Sequence, residues 1–311
     1  MSSGLRGRDF VSLRDFSAEE IWQIVETARA MKLRLKAGME DRPLEGKTLG
    51  MIFTKPSTRT RISFEVGIWQ LGGVGLFLSA QELQLRRGET IEDTARVLSR
   101  YLDGIMIRTY AHQDVVDLAK HSSIPVINGL TDLLHPCQAA SDLLTIWEKL
   151  GRVRGVKFAF TGDGNNNMVH SLLFAGAKVG MDVRVASPEG FHPDPEIVAQ
   201  AQEDAARTGA EILITDDARE AVEGADVVYA DVWTSMGQED GKEERLRVLM
   251  PYQVNGDLWK HVGEGAVFMH CLPAHREEEV TTDVIDGPMS VVFDQAENRM
   301  HLQKAIMALT M

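Results

Sequence analysis

Cysteine is almost missing from this chain: Cys137 and Cys271 are the only two in 311 residues. They allow one disulfide at most, so a disulfide framework is excluded and a reducing cytoplasm is the expected setting. Positive charge is also in short supply, with 33 Lys and Arg against 46 Asp and Glu and a formal net charge of −13. Nucleic acid and anionic membranes would be repelled by such a surface, so neither is expected as a partner. Long hydrophobic runs are absent as well. The longest charge-free apolar stretch, Val66 to Gln81, is broken by Gly72, Gly73 and Gly75 and is too short to span a bilayer. The opening MSSGLRGRDF has no apolar signal core, and the chain turns acidic too soon for a transit peptide. No fixed-period repeat or low-complexity tract occurs.

What remains has ordinary globular composition, 44% hydrophobic and 25% charged, at a length that suits two domains. Short apolar runs alternate with amphipathic stretches, which is the βαβ pattern of parallel sheets. The pattern predicts strands at Thr48–Phe53, Val74–Leu78, Gly104–Ile107 and Pro125–Ile127 in the first half. In the second half it predicts them at Val156–Phe160, Asp182–Ala186, Glu211–Ile214, Asp226–Tyr229 and Ala266–Met269. Helical periodicity marks Ala18–Lys36, Ile91–Leu102 and Pro195–Thr208. The expected class is α/β: two similar domains, each a parallel sheet flanked by helices, with the active site in the interdomain cleft. Residues 1–134 would form the first domain, 135–150 a linking helix and 151–294 the second domain, with a last helix over 295–311 packing back on the first.

Chemistry should therefore sit just after the strands. Ser57-Thr58-Arg59-Thr60-Arg61 lies between a strand and a helical run. Free N–H groups and the positive end of a helix dipole bind phosphate there, and the hydroxyls and the Arg59 fork add donors. A plain N-cap with solvated arginines would need far fewer donors than Ser-Thr-Arg-Thr-Arg carries. Arg108 follows another strand, and His135-Pro136-Cys137-Gln138 opens the linking helix, where Pro136 suits the first position. His135 could donate to a carbonyl oxygen and Gln138 could meet an amide. His270-Cys271-Leu272-Pro273-Ala274-His275 follows the last strand, but no CxxC or HExxH spacing supports zinc, so no metal is expected. Thr161-Gly-Asp-Gly-Asn-Asn-Asn167 is an imperfect dinucleotide pattern and reads better as a polar turn facing an acceptor. Asp231 with Ser235-Met236-Gly237 offers a carboxylate, a hydroxyl and exposed backbone, as an α-amino-acid head group requires.

Taken together, Ser57-Thr58-Arg59-Thr60, His135-Pro136-x-Gln138 and His270-Cys271-Leu272-Pro273 resemble the signature motifs of the aspartate/ornithine carbamoyltransferase superfamily. Asp231 and Ser235-Met236-Gly237 resemble the loop of its ornithine-specific members, and the likeness covers nearly the whole chain. The resemblance implies carbamoyl phosphate held by Ser57, Thr58, Arg59, Thr60, Arg108, His135, Pro136, Cys137, Gln138, Cys271, Leu272 and Arg299. It implies ornithine held by Asn167, Asp231, Ser235 and Met236, with Arg59, Arg108, His135, Asp231 and Cys271 as the catalytic set. It also implies Gln84 reaching into a neighbouring subunit's site within a homotrimer or a multiple of one; Arg86 stands where the family usually has Gly.

The implied reaction transfers a carbamoyl group from carbamoyl phosphate to the ornithine δ-amine, giving citrulline and phosphate, with no cofactor. A carboxylate at Asp231 disfavours aspartate as acceptor, and putrescine has no carboxylate for the Ser-Met-Gly turn. A catalytically dead homologue would be expected to lose donors, yet all of them are present.

Overall fold

Apolar residues outnumber polar ones in the strand segments, as parallel sheets covered by helices require. The computed structural model describes residues 4–79, 83, 88–234 and 241–311, and it arranges these segments as two all-parallel sheets. The chain forms two compact units: Met1–Leu144 together with Asn298–Met311, and Thr145–Glu297.

In the first unit the order is α1 (Ala18–Lys36), β1 (Thr48–Phe53), α2 (Thr58–Gln70), β2 (Val74–Ser79), α3 (Ile91–Tyr101), β3 (Gly104–Arg108), α4 (His112–His121), β4 (Val126–Leu130) and the start of α5 (Pro136–Leu150). The sheet order is β2-β1-β3-β4. The chain steps outward from β1 to β2, then crosses back to place β3 on the other side of β1. That reversal makes the carboxyl ends of β1 and β3 a topological switch point, where open α/β sheets bind ligands. Phe53 and Arg108 are register partners there. A register shift between Ile107 and Arg108 against β4 turns the end of β3, as bulges do beside functional sites. Ile52, Ile105, Ile107 and Val126 from the sheet pack with Ala95, Leu102, Val115 and Leu118 from the helices. Each of the Ile, Leu and Val side chains contributes roughly 1.5–3 kcal/mol by leaving water.

The second unit runs β5 (Lys157–Thr161), α6 (Asn167–Val179), β6 (Asp182–Ala186), α7 (Pro195–Thr208), β7 (Ile212–Thr215), α8 (Ala218–Val222), β8 (Val227–Ala230), α9 (Lys242–Leu249), β9 (Val267–His270), α10 (Thr282–Ile285) and the start of α11 (Val292–Thr310). Its sheet order, β7-β6-β5-β8-β9, repeats the device: β6 and β7 step out on one side of β5, and β8 returns to the other. The carboxyl ends of β5 and β8 form the second switch point, with β9 and Cys271 beside them.

Local chemistry sets where the helices begin. Ser17 and Glu20 form a reciprocal capping box at α1, and Ser57 Oγ caps α2 by accepting from the Thr60 N–H at 3.2 Å. Asn166 Oδ1 caps α6 by accepting from the N–H groups of Met168 and Val169 at 2.8 and 2.9 Å. Among the described residues, no helix is long and apolar enough to cross a membrane.

Candidate active site

Each unit presents a cluster at its switch point. In the first, Thr60 lies on the opening turn of α2, fully buried, and its hydroxyl accepts from two guanidiniums. Arg108 Nη1 donates to Thr60 Oγ1 at 3.3 Å, and Arg299 Nη2, from α11, donates to the same oxygen. With both lone pairs taken, the Thr60 proton is directed elsewhere and can be given to a ligand oxygen. The N–H groups of Thr58 and Arg59 open the helix with no intrahelical acceptor, and the dipole adds to their pull on an anion. Arg61 turns away: its guanidinium lies over the Phe77 ring at 3.9 Å and meets Glu65 at 3.3 Å.

His135 belongs to the same cluster. It is 4% exposed, and its pKa is pushed well below 6.5, first by desolvation and then by the charges of Arg299, Arg108 and Arg59. The imidazole is therefore neutral at physiological pH, a hydrogen-bond donor rather than a proton carrier. Arg108 and Arg299 meet at Thr60, and together with Arg59 they set a positive field at His135 that suits an anion. Gln138 Nε2 donates to Asp142 Oδ1 at 2.9 Å, which leaves its Oε1 as the atom suited to accept from an amide. The Cys137 thiol donates to the Asn128 carbonyl at 3.3 Å, and burial raises its pKa to about 12.

In the second unit, Asp231 follows β8 and Cys271 follows β9. Cys271 Sγ donates to Asp231 Oδ1 at 3.1 Å, and the same oxygen accepts from the Val232 N–H at 2.8 Å. Desolvation pushes the Asp231 carboxyl above its usual 3.8, against the opposing pull of His270, the thiol and the backbone. Such a carboxylate has strong reason to take up a cationic ligand. His270 Nδ1 accepts from the Leu272 N–H at 2.9 Å, so its proton sits on Nε2 and is donated to Glu279 Oε1 at 3.2 Å. That pair is wholly buried and braces the Cys271-Leu272 turn, where Leu272 is held at φ +57°. A branched residue in the left-handed region stores strain, a recurrent property of ligand-binding turns. Asn167 starts α6 at the end of the neighbouring β5 turn. Gln84 with Arg86, and Ser235 with Met236, lie outside the described residues.

Comparison with known proteins agrees on both halves. Residues 8–148 match the carbamoyl-P binding domain of aspartate/ornithine carbamoyltransferase, and residues 154–310 match its Asp/Orn binding domain. The chain belongs to the aspartate/ornithine carbamoyltransferase family. An ornithine carbamoyltransferase of Thermococcus kodakarensis is 61% identical over 100% of this chain and 98% of its own length. A relative from Pyrococcus furiosus named as an anabolic ornithine carbamoyltransferase is 59% identical over 100% and 98%. Among solved structures, the ornithine carbamoyltransferase of Pyrococcus furiosus superposes with a TM-score of 0.97 at 59% identity, covering 100% of this chain and 99% of that one. The Gloeobacter violaceus enzyme gives 0.88 at 47% identity, covering 98% and 99%.

Several contacts of this carbamoyltransferase fold could not be read from the sequence. Lys55 lies in the β1–α2 turn, 4.1 Å from the Tyr110 ring centroid and paired with Asp132, so it joins the loops after β1, β3 and β4. Glu279 sits nine positions beyond His270, with no motif to pair them. Asp163 is paired with Arg245 across the second unit. Each of these partners comes from a different element, and only folding brings them together.

Proposed function

We propose that the chain transfers the carbamoyl group of carbamoyl phosphate to the δ-amine of L-ornithine, releasing L-citrulline and phosphate. The observation that carries this reading is the meeting of Arg108 and Arg299 on buried Thr60 beside a neutral His135 at one switch point, with an Asp231–Cys271 pair at the other. Phosphate is held by the α2 amides, Ser57, Thr58 and Arg59. Thr60, Arg108 and His135 donate to the carbonyl oxygen, whose charge grows as the tetrahedral intermediate forms. Gln138 Oε1 accepts from the carbamoyl NH2. Because His135 stays neutral, it stabilises the oxyanion without exchanging a proton.

The acceptor's α-ammonium is held by Asp231, with Asn167, Ser235 and Met236 taking the rest of the head group. Cys271 keeps Asp231 oriented, and the Leu272 turn meets the carbamoyl group. The δ-amine must attack unprotonated. A new C–N bond forms, the C–O bond to phosphate breaks, and the amine's proton leaves with phosphate or to solvent. The chemistry asks for no cofactor, because phosphate is already a good leaving group. Holding both substrates in contact supplies much of the remaining acceleration.

In this reading the chain works as a cytoplasmic homotrimer or a multiple of one, with Gln84 serving a neighbouring subunit. Exposed apolar side chains on the first unit support self-association: Trp69 is 73% exposed, Val74 57% and Leu76 44%. Residues 1–134 form the carbamoyl phosphate domain and 151–294 the ornithine domain. The test is steady-state turnover with carbamoyl phosphate and three acceptors in turn. Ornithine should be used at least a hundredfold better, in kcat/KM, than putrescine or aspartate. Comparable use of putrescine would overturn the α-amino-acid reading of Asp231.

A further inference from the structure

Arg245, on α9, reaches back to both strand ends of the acceptor-side switch point. Its Nη2 donates to Asp163 Oδ2 in the turn after β5, and its Nε donates to the Trp233 carbonyl in the segment after β8. The guanidinium also lies over the Phe191 ring, 4.8 Å from its centroid. A planar fork satisfies two acceptors at fixed spacing, which a lysine ammonium on a flexible stem cannot reproduce.

What the fork holds is connected to ligand positions on both sides. Asp163 Oδ1 accepts from the Asn165 N–H at 3.1 Å, and the Asp163 carbonyl accepts from Asn166 Nδ2 at 2.7 Å. Asn166 caps α6, whose first residue is Asn167. On the other side Trp233 lies two residues beyond Asp231, and its buried indole is packed so closely on Gly162 that a Cβ there would come within 2.6 Å of Nε1. Asp163 is largely buried beside the negative charge of Asp231, and Arg245 is the cation that offsets it.

We propose that Arg245 is a positioning residue for the acceptor: its fork fixes the turn that carries Asn167 against the segment that carries Asp231. It touches no substrate and acts through Asp163 and Trp233. Removing it leaves Asp163 as an uncompensated buried carboxylate and the Trp233 carbonyl without its donor, so both turns are free to shift.

The inference rests on the acceptor reading above, and the two fail differently. A wild type that prefers another acceptor to ornithine overturns that reading. The clamp is tested by a cycle of Arg245→Gln, Asp163→Asn and the double variant, with Arg245→Lys alongside, measured in the intact enzyme. Arg245→Gln should raise the KM of the acceptor tenfold or more while the KM for carbamoyl phosphate stays within twofold. Arg245→Lys should recover only part of that loss. The double variant should be no worse than Arg245→Gln alone, because the stranded carboxylate has gone. A purely structural role would lower kcat and Tm and leave the acceptor KM flat. That result, equal changes in both KM values, or multiplicative effects of the two substitutions would overturn the clamp.

Discussion

Thr60 serves two guanidiniums with one hydroxyl in a dry setting. Thr60→Val keeps the shape and removes the oxygen. It strands two buried donors and takes away the proton offered to the substrate, so kcat/KM for carbamoyl phosphate should fall roughly a hundredfold or more. Thr60→Ser should retain most activity. A valine variant within about threefold of wild type, a change worth less than 1 kcal/mol, would show that the hydroxyl is incidental.

Asp231 ties function to stability with a definite sign. Burial raises its folded pKa above 3.8, so ionising it in the folded state costs stability that the unfolded chain does not lose. The penalty is present in full above the folded pKa and vanishes below 3.8, where the carboxyl is protonated in both states. Asp231→Asn should therefore raise Tm at pH 7 while raising the ornithine KM and lowering kcat. Its Tm advantage should shrink as pH falls through the window just above 3.8. An advantage that stays constant down to pH 3 would mean that Asp231 is not strained by desolvation.

At the scale of elements, the turns after the strands set the site, and the β5–α6 turn is tightly constrained. Gly162 has φ +123°, and an added Cβ would press on buried Trp233. Gly162→Ala should cost about 2 kcal/mol or more in stability and raise the ornithine KM, read by urea unfolding and steady-state kinetics. An unchanged midpoint and KM would show that the turn tolerates movement.

The elements themselves were largely legible in the sequence. The patterns at Thr48–Phe53, Asp182–Ala186, Ala18–Lys36 and Pro195–Thr208 match β1, β6, α1 and α7 residue for residue. Ser17 with Glu20 and Asp194 with Pro195 mark the two helix starts unambiguously. β4 was read short, as Pro125–Ile127 rather than Val126–Leu130, because Asn128 and Gly129 look like a turn. Asn128 is tolerated there because its Nδ2 donates to the Val11 carbonyl and its own carbonyl accepts from Cys137, partners distant in sequence. Motif residues were visible because each sits beside a strand end. Lys55, Glu279, Asp163 and Arg245 were not, since their meaning lies in pairings that no local pattern encodes.

At the scale of the whole molecule, the net charge is −13, and the arginines around His135 gather positive charge locally against it. The pH dependence of activity between pH 6 and 8 should then follow the acceptor amine. The His135 pKa is held well below 6.5, whereas a free δ-amine has a pKa of about 10.4 and is mostly protonated across this range. The kcat/KM for ornithine should climb about tenfold per pH unit from pH 6 toward pH 8. A flat profile would point to a slow step other than amine attack.

The proposed assembly has its own test. Leu76→Asp, on the exposed edge strand β2, should shift the protein to a smaller species on size-exclusion chromatography and lower activity, since Gln84 would lose the neighbouring site it serves. A variant that stays assembled and active would remove this edge from the interface.

The reading as a whole turns on carbamoyl transfer, so the most direct measurement follows citrulline and phosphate together with carbamoyl phosphate and ornithine as the only substrates. Citrulline and phosphate should appear in a one-to-one ratio once the enzyme-free breakdown of carbamoyl phosphate is subtracted, and both should cease when ornithine is withheld. Phosphate released without citrulline, or at the same rate without ornithine, would contradict it.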